Sequence, residues 1–311
     1  MPDILSQLFK LPPKHLIHIT PLAIGLGALE LIGLCYRANA YLSKRDLNPK
    51  STPKSWDPER EIVVTGGSSG IGAAIVNLLV NRGTRTIILD ISEPLNELKK
   101  TYSYKVDLAN PEAIKLTAAK LRLEHGDPTV LINNAGIEFN KSILDLSEFQ
   151  IRRTVDVNIL AHFLLVQQFL PSMISNSRGH VLSVASLASF ATSTINVEYA
   201  CTKSTALALY EGLGQELRHV YMAAGVRNSI VNLGWARTLL IQKTVDSGVR
   251  DGQILEPRYV AEVVVERILS GVAGQIFVPS SRWVLTIIKA LPCRIQEGMR
   301  NRLSLKRIAA F

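Results

Sequence analysis

Tyr199 and Lys203 stand four residues apart in a stretch that reads as helix, so both side chains fall on one face. A phenol begins to ionise near pH 10, and a neighbouring ammonium favours its phenolate form. The spacing therefore predicts a Tyr199 pKa lowered by Lys203. Two or three units would make the phenol a working acid/base near neutrality, at about 1.4 kcal/mol per unit. Ser186 lies 13 residues before Tyr199, at the end of an apolar run, where a hydroxyl can stand beside the phenol. A tyrosine, a lysine and a serine so placed could move a proton to or from an alcohol or carbonyl oxygen.

A second cluster could hold a phosphate. Ile62-Val63-Val64 runs into Thr65-Gly66-Gly67-Ser68-Ser69-Gly70-Ile71-Gly72, and apolar spacing then turns helical through Ala73 to Val80. Glycines at a strand-to-helix turn can adopt positive φ and bring backbone close to a ligand. The helix start offers free N–H groups and partial positive charge to a pyrophosphate. About 20 residues on, the next apolar run ends in Asp90, whose carboxylate can accept from ribose hydroxyls. No Arg or Lys occupies Ser68, Ser69, Ile91 or Ser92, so a 2′-phosphate would meet Asp90 without a cation; NAD is expected over NADP.

These residues need strands and helices to carry them. Strands are predicted at 61–65, 86–90, 104–107, 129–133, 179–185, 227–232 and 275–278, with helical stretches between most of them. Such alternation predicts an α/β fold, a doubly wound parallel sheet of Rossmann type covered on both faces. Asn133-Asn134-Ala135-Gly136 ends the fourth strand. The organisation expected is an N-terminal anchor and polar linker over 1–60, a catalytic domain over 61–279, and an apolar, basic tail over 280–311.

The charge is uneven. The chain carries +9 overall, yet residues 61–279 hold equal numbers of basic and acidic side chains, and residues 280–311 hold seven basic and one acidic. A nucleic-acid binder would carry its excess on the folded domain; excess at the ends points instead to a membrane surface. Leu22 to Tyr36 is apolar apart from Glu30, which as helix would be about 22 Å long. It could cross a thin bilayer with its flanks, lie in one leaflet, or pack as a core helix. Ala38-Asn39-Ala40 has the form of a signal cleavage site, but Arg37 directly before it argues against cleavage. More cations follow the run than precede it, which places the domain on the cytosolic side. In the tail, Ile295, Met299 and Leu303 recur on one helical face, suited to a membrane or to the domain itself. Three scattered cysteines supply neither a disulfide framework nor a metal spacing.

The order of Gly-rich turn, Asn-Asn-Ala-Gly, strand-end Ser186 and Tyr199-x-x-x-Lys203 resembles the short-chain dehydrogenase/reductase superfamily over residues 61–279. The layout of the ends resembles its membrane-associated retinol and 17-beta-hydroxysteroid dehydrogenases of the endoplasmic reticulum and lipid droplets. The resemblance implies catalytic roles for Asn158, Ser186, Tyr199 and Lys203, with the backbone carbonyl of Asn158 placing a relay water. It implies cofactor contacts from Gly66, Ser68, Ser69, Gly70, Ile71 and Gly72 in the turn, and from Asp90, Asp107, Asn134, Ala135 and Gly136. Tyr199, Lys203 and Thr238 complete that set, with Asp107 at the adenine and Thr238 at the nicotinamide end. Leu233 and Ala236 depart from the usual sequence of the loop after the sixth strand. The expected function is hydride transfer between NAD(H) and a lipophilic alcohol, ketone or aldehyde (sterol, retinoid or fatty alcohol), by a homodimer at a membrane. A catalytically silent nucleotide-binding scaffold is the alternative.

Overall fold

The structure is a computed structural model, which describes residues 61–96, 98–241 and 254–308 and scattered positions between 27 and 48. Chain contacts divide it into residues 1–47 and 48–311. In the first unit most of Leu22–Tyr36 lies outside the described residues; the described positions are helical, with Leu31 and Leu34 61% and 64% exposed.

The second unit is built on seven strands, β1 (Glu61–Thr65), β2 (Arg85–Asp90), β3 (Thr101–Lys105), β4 (Val130–Asn133), β5 (Gly179–Ser186), β6 (Val226–Leu233) and β7 (Gly274–Val278). They form one sheet in the order β3-β2-β1-β4-β5-β6-β7, every neighbouring pair parallel. The strand order reverses between β1 and β4, and ligands bind such sheets at the strands' carboxyl ends near that point. Helices α1 (Gly70–Asn81), α2 (Pro111–His125), α3 (Glu148–Val155), α4 (Ala161–Ser175), α5 (Val197–His219) and α6 (Pro257–Ser270) cover it.

Alternation along the strands divides the core. Val63, Ile87, Leu131 and Val181 pack with Leu121 of α2 and Phe169 of α4 on one face. Ile62, Val64, Ile88 and Ile132 pack with Leu79 of α1 and Val264 of α6 on the other. Among the described residues one helical run, Glu148–Ser175, is long and apolar enough to cross a membrane, but half of its apolar window is buried in the protein. Leu165, Phe169 and Met173 place it in the core instead.

Two local differences from the predicted elements have physical causes. The third strand runs 101–105, not 104–107. It is an edge strand with one partner and a polar sequence, Thr-Tyr-Ser-Tyr-Lys, while Val106 and Leu108 are buried by the turn that follows. The C-terminal segment is a 3-10 stretch (Ser280–Ala290) followed by α7 (Cys293–Ile308), both within the same compact unit as the sheet. Its inward stripe is Gln296, Met299, Arg300, Leu303, Ser304 and Arg307, whereas Ile295 is 49% exposed.

Candidate active site

The Gly-rich turn lies at the carboxyl end of β1. Gly66 and Gly70 have φ of 64° and 53°. A Cβ on Gly72 would sit 1.9 Å from the Gly66 carbonyl oxygen, so α1 can pack against the turn only with glycine there. Ser69 precedes α1 in extended conformation and makes no side-chain cap, and the first turn of the helix holds no acidic residue. The amides at the start of α1 thus remain available to an anion.

They open on a cleft of about 370 Å³ lined by Gly66, Ser69, Gly70, Ile71, Asp90, Asp107, Asn134, Ala135, Gly136 and Thr238. Ser68 and Gly72 do not line it. The Ser68 amide donates to Asp90 Oδ2 at 2.9 Å and its hydroxyl to the Ser92 carbonyl at 2.7 Å, while the Ser92 amide donates to Asp90 Oδ1 at 3.0 Å. Ser68 fixes the acidic residue, and Gly72 fixes the helix. At the other side of the cleft Asp107 accepts from Arg153 at 2.8 Å and from the Ala109 amide at 2.9 Å. The Arg153 hydrogen bond holds the Asp107 carboxyl below its ordinary pKa.

Thr65 ties the turn to β4. Its Oγ1 accepts from the Asn134 and Ala135 amides, both at 2.9 Å, and Asn134 Nδ2 donates back to the Thr65 carbonyl at 2.9 Å. Asn158 sits in a π-helical turn, Asp156–Leu160, between α3 and α4, a distortion common at functional sites. Its Oδ1 accepts from the Ile137 amide at 2.8 Å; its Nδ2 donates to the Ile137 carbonyl at 2.9 Å and to Thr202 Oγ1 at 3.0 Å. The side chain is thus committed to bracing the loop after β4 against α5.

A second pocket, about 280 Å³, adjoins the cleft and shares Asn134, Gly136 and Thr238 with it. Ser186, Tyr199 and Lys203 all line this pocket. Ser186, at the end of β5, accepts from the Ala188 amide at 3.1 Å and is hydrogen-bonded to the Tyr199 phenol. Lys203 Nζ donates to the Val184 carbonyl at 2.9 Å and lies 5.4 Å from the Tyr199 ring centroid.

The electrostatics correct one expectation. The Tyr199 phenol is pushed up, not down: burial is the main cause and the carboxylate of Glu138 the next, against smaller downward pulls from the Ser186 hydrogen bond and from Arg307. Partly shielded from water, the phenolate loses more than nearby cations return. The same burial lowers Lys203 to about 8, opposed by Glu138. Tyr199 is therefore a neutral phenol here, ready to give a proton.

Sequence reasoning overlooked Thr65, Arg153, Glu138, Glu198 and Arg307. Thr65, a polar end to an apolar strand, was the one with a local signal. Glu138 and Arg307 line the second pocket, and Arg307 reaches Glu138 from α7. Glu198, beside Tyr199, accepts from the Phe139 amide at 3.1 Å. The loop after β6, which departs from the family sequence, is held by pairing: Gly234 N donates to Val278 O at 2.8 Å, Leu255 N to Trp235 O at 2.7 Å and Arg237 N to Leu255 O at 2.8 Å. Residues 242–253, which follow this loop, lie outside the described residues.

Known proteins share this architecture. A family model described as short chain dehydrogenase matches residues 60–247. Dehydrogenase RED2 of Cochliobolus heterostrophus is 42% identical over 217 residues, covering 68% of this chain and 78% of that protein. Estradiol 17-beta-dehydrogenase 11 of Macaca fascicularis is 31% identical over 258 residues, covering 79% of this chain and 83% of that one. The solved structure of 4-hydroxyisoleucine dehydrogenase complexed with NADH matches with a TM-score of 0.64 at 21% identity, covering 70% of this chain and 96% of that one.

Proposed function

The chain belongs to the short-chain dehydrogenase family, and on that premise we propose that it interconverts a lipophilic alcohol and its carbonyl with NAD(H), using Tyr199 as the proton-transferring group. The observation that carries this is the meeting of Ser186, Tyr199 and Lys203 in one pocket that adjoins a dinucleotide-sized cleft.

The cleft fits the cofactor on its own residues: open amides at the start of α1, glycines that admit a pyrophosphate, and an Asp90 carboxylate fixed by two amides to meet ribose hydroxyls. When bound, NAD(H) supplies the hydride acceptor or donor, chemistry that is its own. Ser186 holds the substrate oxygen. Tyr199 gives that oxygen a proton in reduction and takes one in oxidation, and Lys203, at the junction with the cleft, holds the nicotinamide ribose. The neutral phenol suits it directly to reduction.

The walls support a lipophilic substrate. Leu187, Ala191, Trp235, Leu240 and Leu255 give the pocket an apolar lining around its polar end, as ligand sites commonly have. A membrane surface suits such a substrate. Trp283, Val284 and Ile287 are 40–46% exposed beside basic side chains of the last two elements, and with the N-terminal segment they supply the two signals that stable attachment needs. The catalytic unit faces the cytosol at the endoplasmic reticulum or a lipid droplet, and a homodimer covers the exposed Phe149 and Phe163.

The deciding experiment is a panel of soluble sugars and lipid alcohols, each scored with NAD and NADP in parallel. Turnover confined to sugars sinks the lipophilic reading. No turnover of any alcohol or carbonyl, with NAD bound, leaves the silent scaffold.

A further inference from the structure

Arg307 is the last but one of the described residues, yet it is 6% exposed. Its guanidinium forms an ion pair with Glu138 and donates to Asn140 Oδ1 at 2.5 Å, both on the loop after β4. With the Asn196 amide oriented to satisfy its neighbours, Arg307 Nη1 also donates to the Asn196 oxygen at 3.1 Å, immediately before α5. One side chain thus fastens the last helix to the two segments that carry Gly136 and Tyr199. On the same inward stripe Leu303 lines the pocket, one turn before Arg307. Ser304 Oγ adds a second attachment by accepting from the Thr194 amide at 3.2 Å.

We propose that Arg307 and Glu138 are positioning residues whose buried pair holds α7 as a wall of the substrate pocket, so that the end of the chain sets the size of alcohol that reaches Tyr199. The inference rests on the dehydrogenase reading above and adds a specificity determinant to it. Neither residue is asked to touch the reacting atoms. A carboxylate 3% exposed needs a fixed cationic partner, and Arg307 is the charged group that reaches it from α7; Lys203 and Glu198 act on it from α5. Removing one partner of such a pair leaves the other charge buried and uncompensated. The wall should then swing away while the sheet stays folded, because among the described residues the other polar attachment of α7 to the core is Ser304 to the Thr194 amide.

The test uses the full chain, with Arg307→Met, Arg307→Lys, and the double variant Glu138→Gln/Arg307→Met, which removes the ion pair without stranding a charge. Amide hydrogen exchange over 293–308 reads the wall directly. Steady-state kinetics with cyclohexanol and 2-dodecanol read the pocket, and NAD binding by fluorescence reads the cofactor cleft. In Arg307→Met, exchange over 293–308 should quicken by about tenfold or more while β4, β5 and β6 keep their protection. The ratio of kcat/KM for 2-dodecanol over cyclohexanol should shift at least about fivefold, mainly through KM, as expected for lost binding rather than lost chemistry. NAD affinity should stay the same, and Arg307→Lys should recover part of both changes. The double variant should resemble Arg307→Met. Wild-type exchange over 293–308 in the double variant, or an unchanged substrate ratio despite faster exchange, overturns the proposal. If Arg307→Met loses protection throughout, the double variant decides. If the wild type turns over no alcohol or carbonyl of the wider panel, the dehydrogenase reading fails, and the exchange data still judge the wall.

Discussion

Arg307 and Glu138 stand 169 residues apart in the chain and pair with side chains only 8% and 3% exposed. The contact makes the C-terminal helix part of the catalytic unit, whatever its exposed face does at a membrane. Removal of the two ends of the chain should therefore have opposite consequences.

Deletion of residues 1–47, a separate compact unit, should leave a folded dehydrogenase with wild-type NAD affinity and weaker membrane attachment. Deletion of 280–311 should expose the apolar pocket and the buried Glu138, and yield a destabilised, aggregating protein. Fractionation at low and high salt, with thermal melts of each form, checks both. An active, stable enzyme lacking 280–311 would show that α7 is not part of the site.

Tyr199→Phe should lower kcat by about 10² to 10⁴ while NAD binding persists, since only the proton-transferring hydroxyl is lost. A variant keeping a tenth of wild-type kcat, with chemistry rate-limiting, would remove Tyr199 from that role.

Thr65→Val keeps the side chain's shape but deletes the acceptor for the Asn134 and Ala135 amides. Each buried amide left without a partner costs about 1–3 kcal/mol. Urea denaturation should show a loss on the order of 2–5 kcal/mol, and KM for NAD should rise because the turn is no longer tied to β4. An unchanged urea midpoint would argue that the two amides find other partners.

Asp90 is expected to set the cofactor preference. Its carboxylate, oriented by Ser68 and Ser92, would face the 2′-phosphate of NADP, and like charges so juxtaposed cost several kcal/mol. The wild type should favour NAD strongly in kcat/KM, and Asp90→Ala should narrow the gap. Equal kcat/KM for the two cofactors in the wild type would refute the assignment.

Acid should unfold the protein from below neutrality. Burial pushes His162 and His180 down to about 3, reinforced by Lys203 near the first and by Arg267 and Arg227 near the second. Because these folded values lie below the ordinary 6.5, the unfolded chain binds protons that the folded protein refuses. The contribution is fully present above pH 6.5 and is lost as pH falls towards 3. By pH 4.5 the loss should be on the order of 2–3 kcal/mol per histidine. Urea midpoints at pH 7, 5.5 and 4.5 check it, and a flat profile would show that one imidazole accepts its proton inside the fold.

By itself the sequence determined the sheet, the turn and the shared face of Tyr199 and Lys203, because each is written locally. Strand and helix periods span a few residues, glycine spacing shapes a single turn, and Tyr199 and Lys203 share a face through the helix pitch alone. The seven strands were legible for that reason, and the one displaced, β3, is the edge strand, where a single partner leaves the pattern weak. Tertiary structure decided what depends on burial and on distant segments. It reversed the direction of the Tyr199 shift, since desolvation depends on everything packed around the phenol while helical spacing sees only Lys203. It turned Ser68 inward to hold Asp90, committed Asn158 to Ile137 and Thr202, and brought Arg307 to Glu138. No spacing rule connects positions 138 and 307; a buried carboxylate needs a cation, and only the folded chain settles which one arrives.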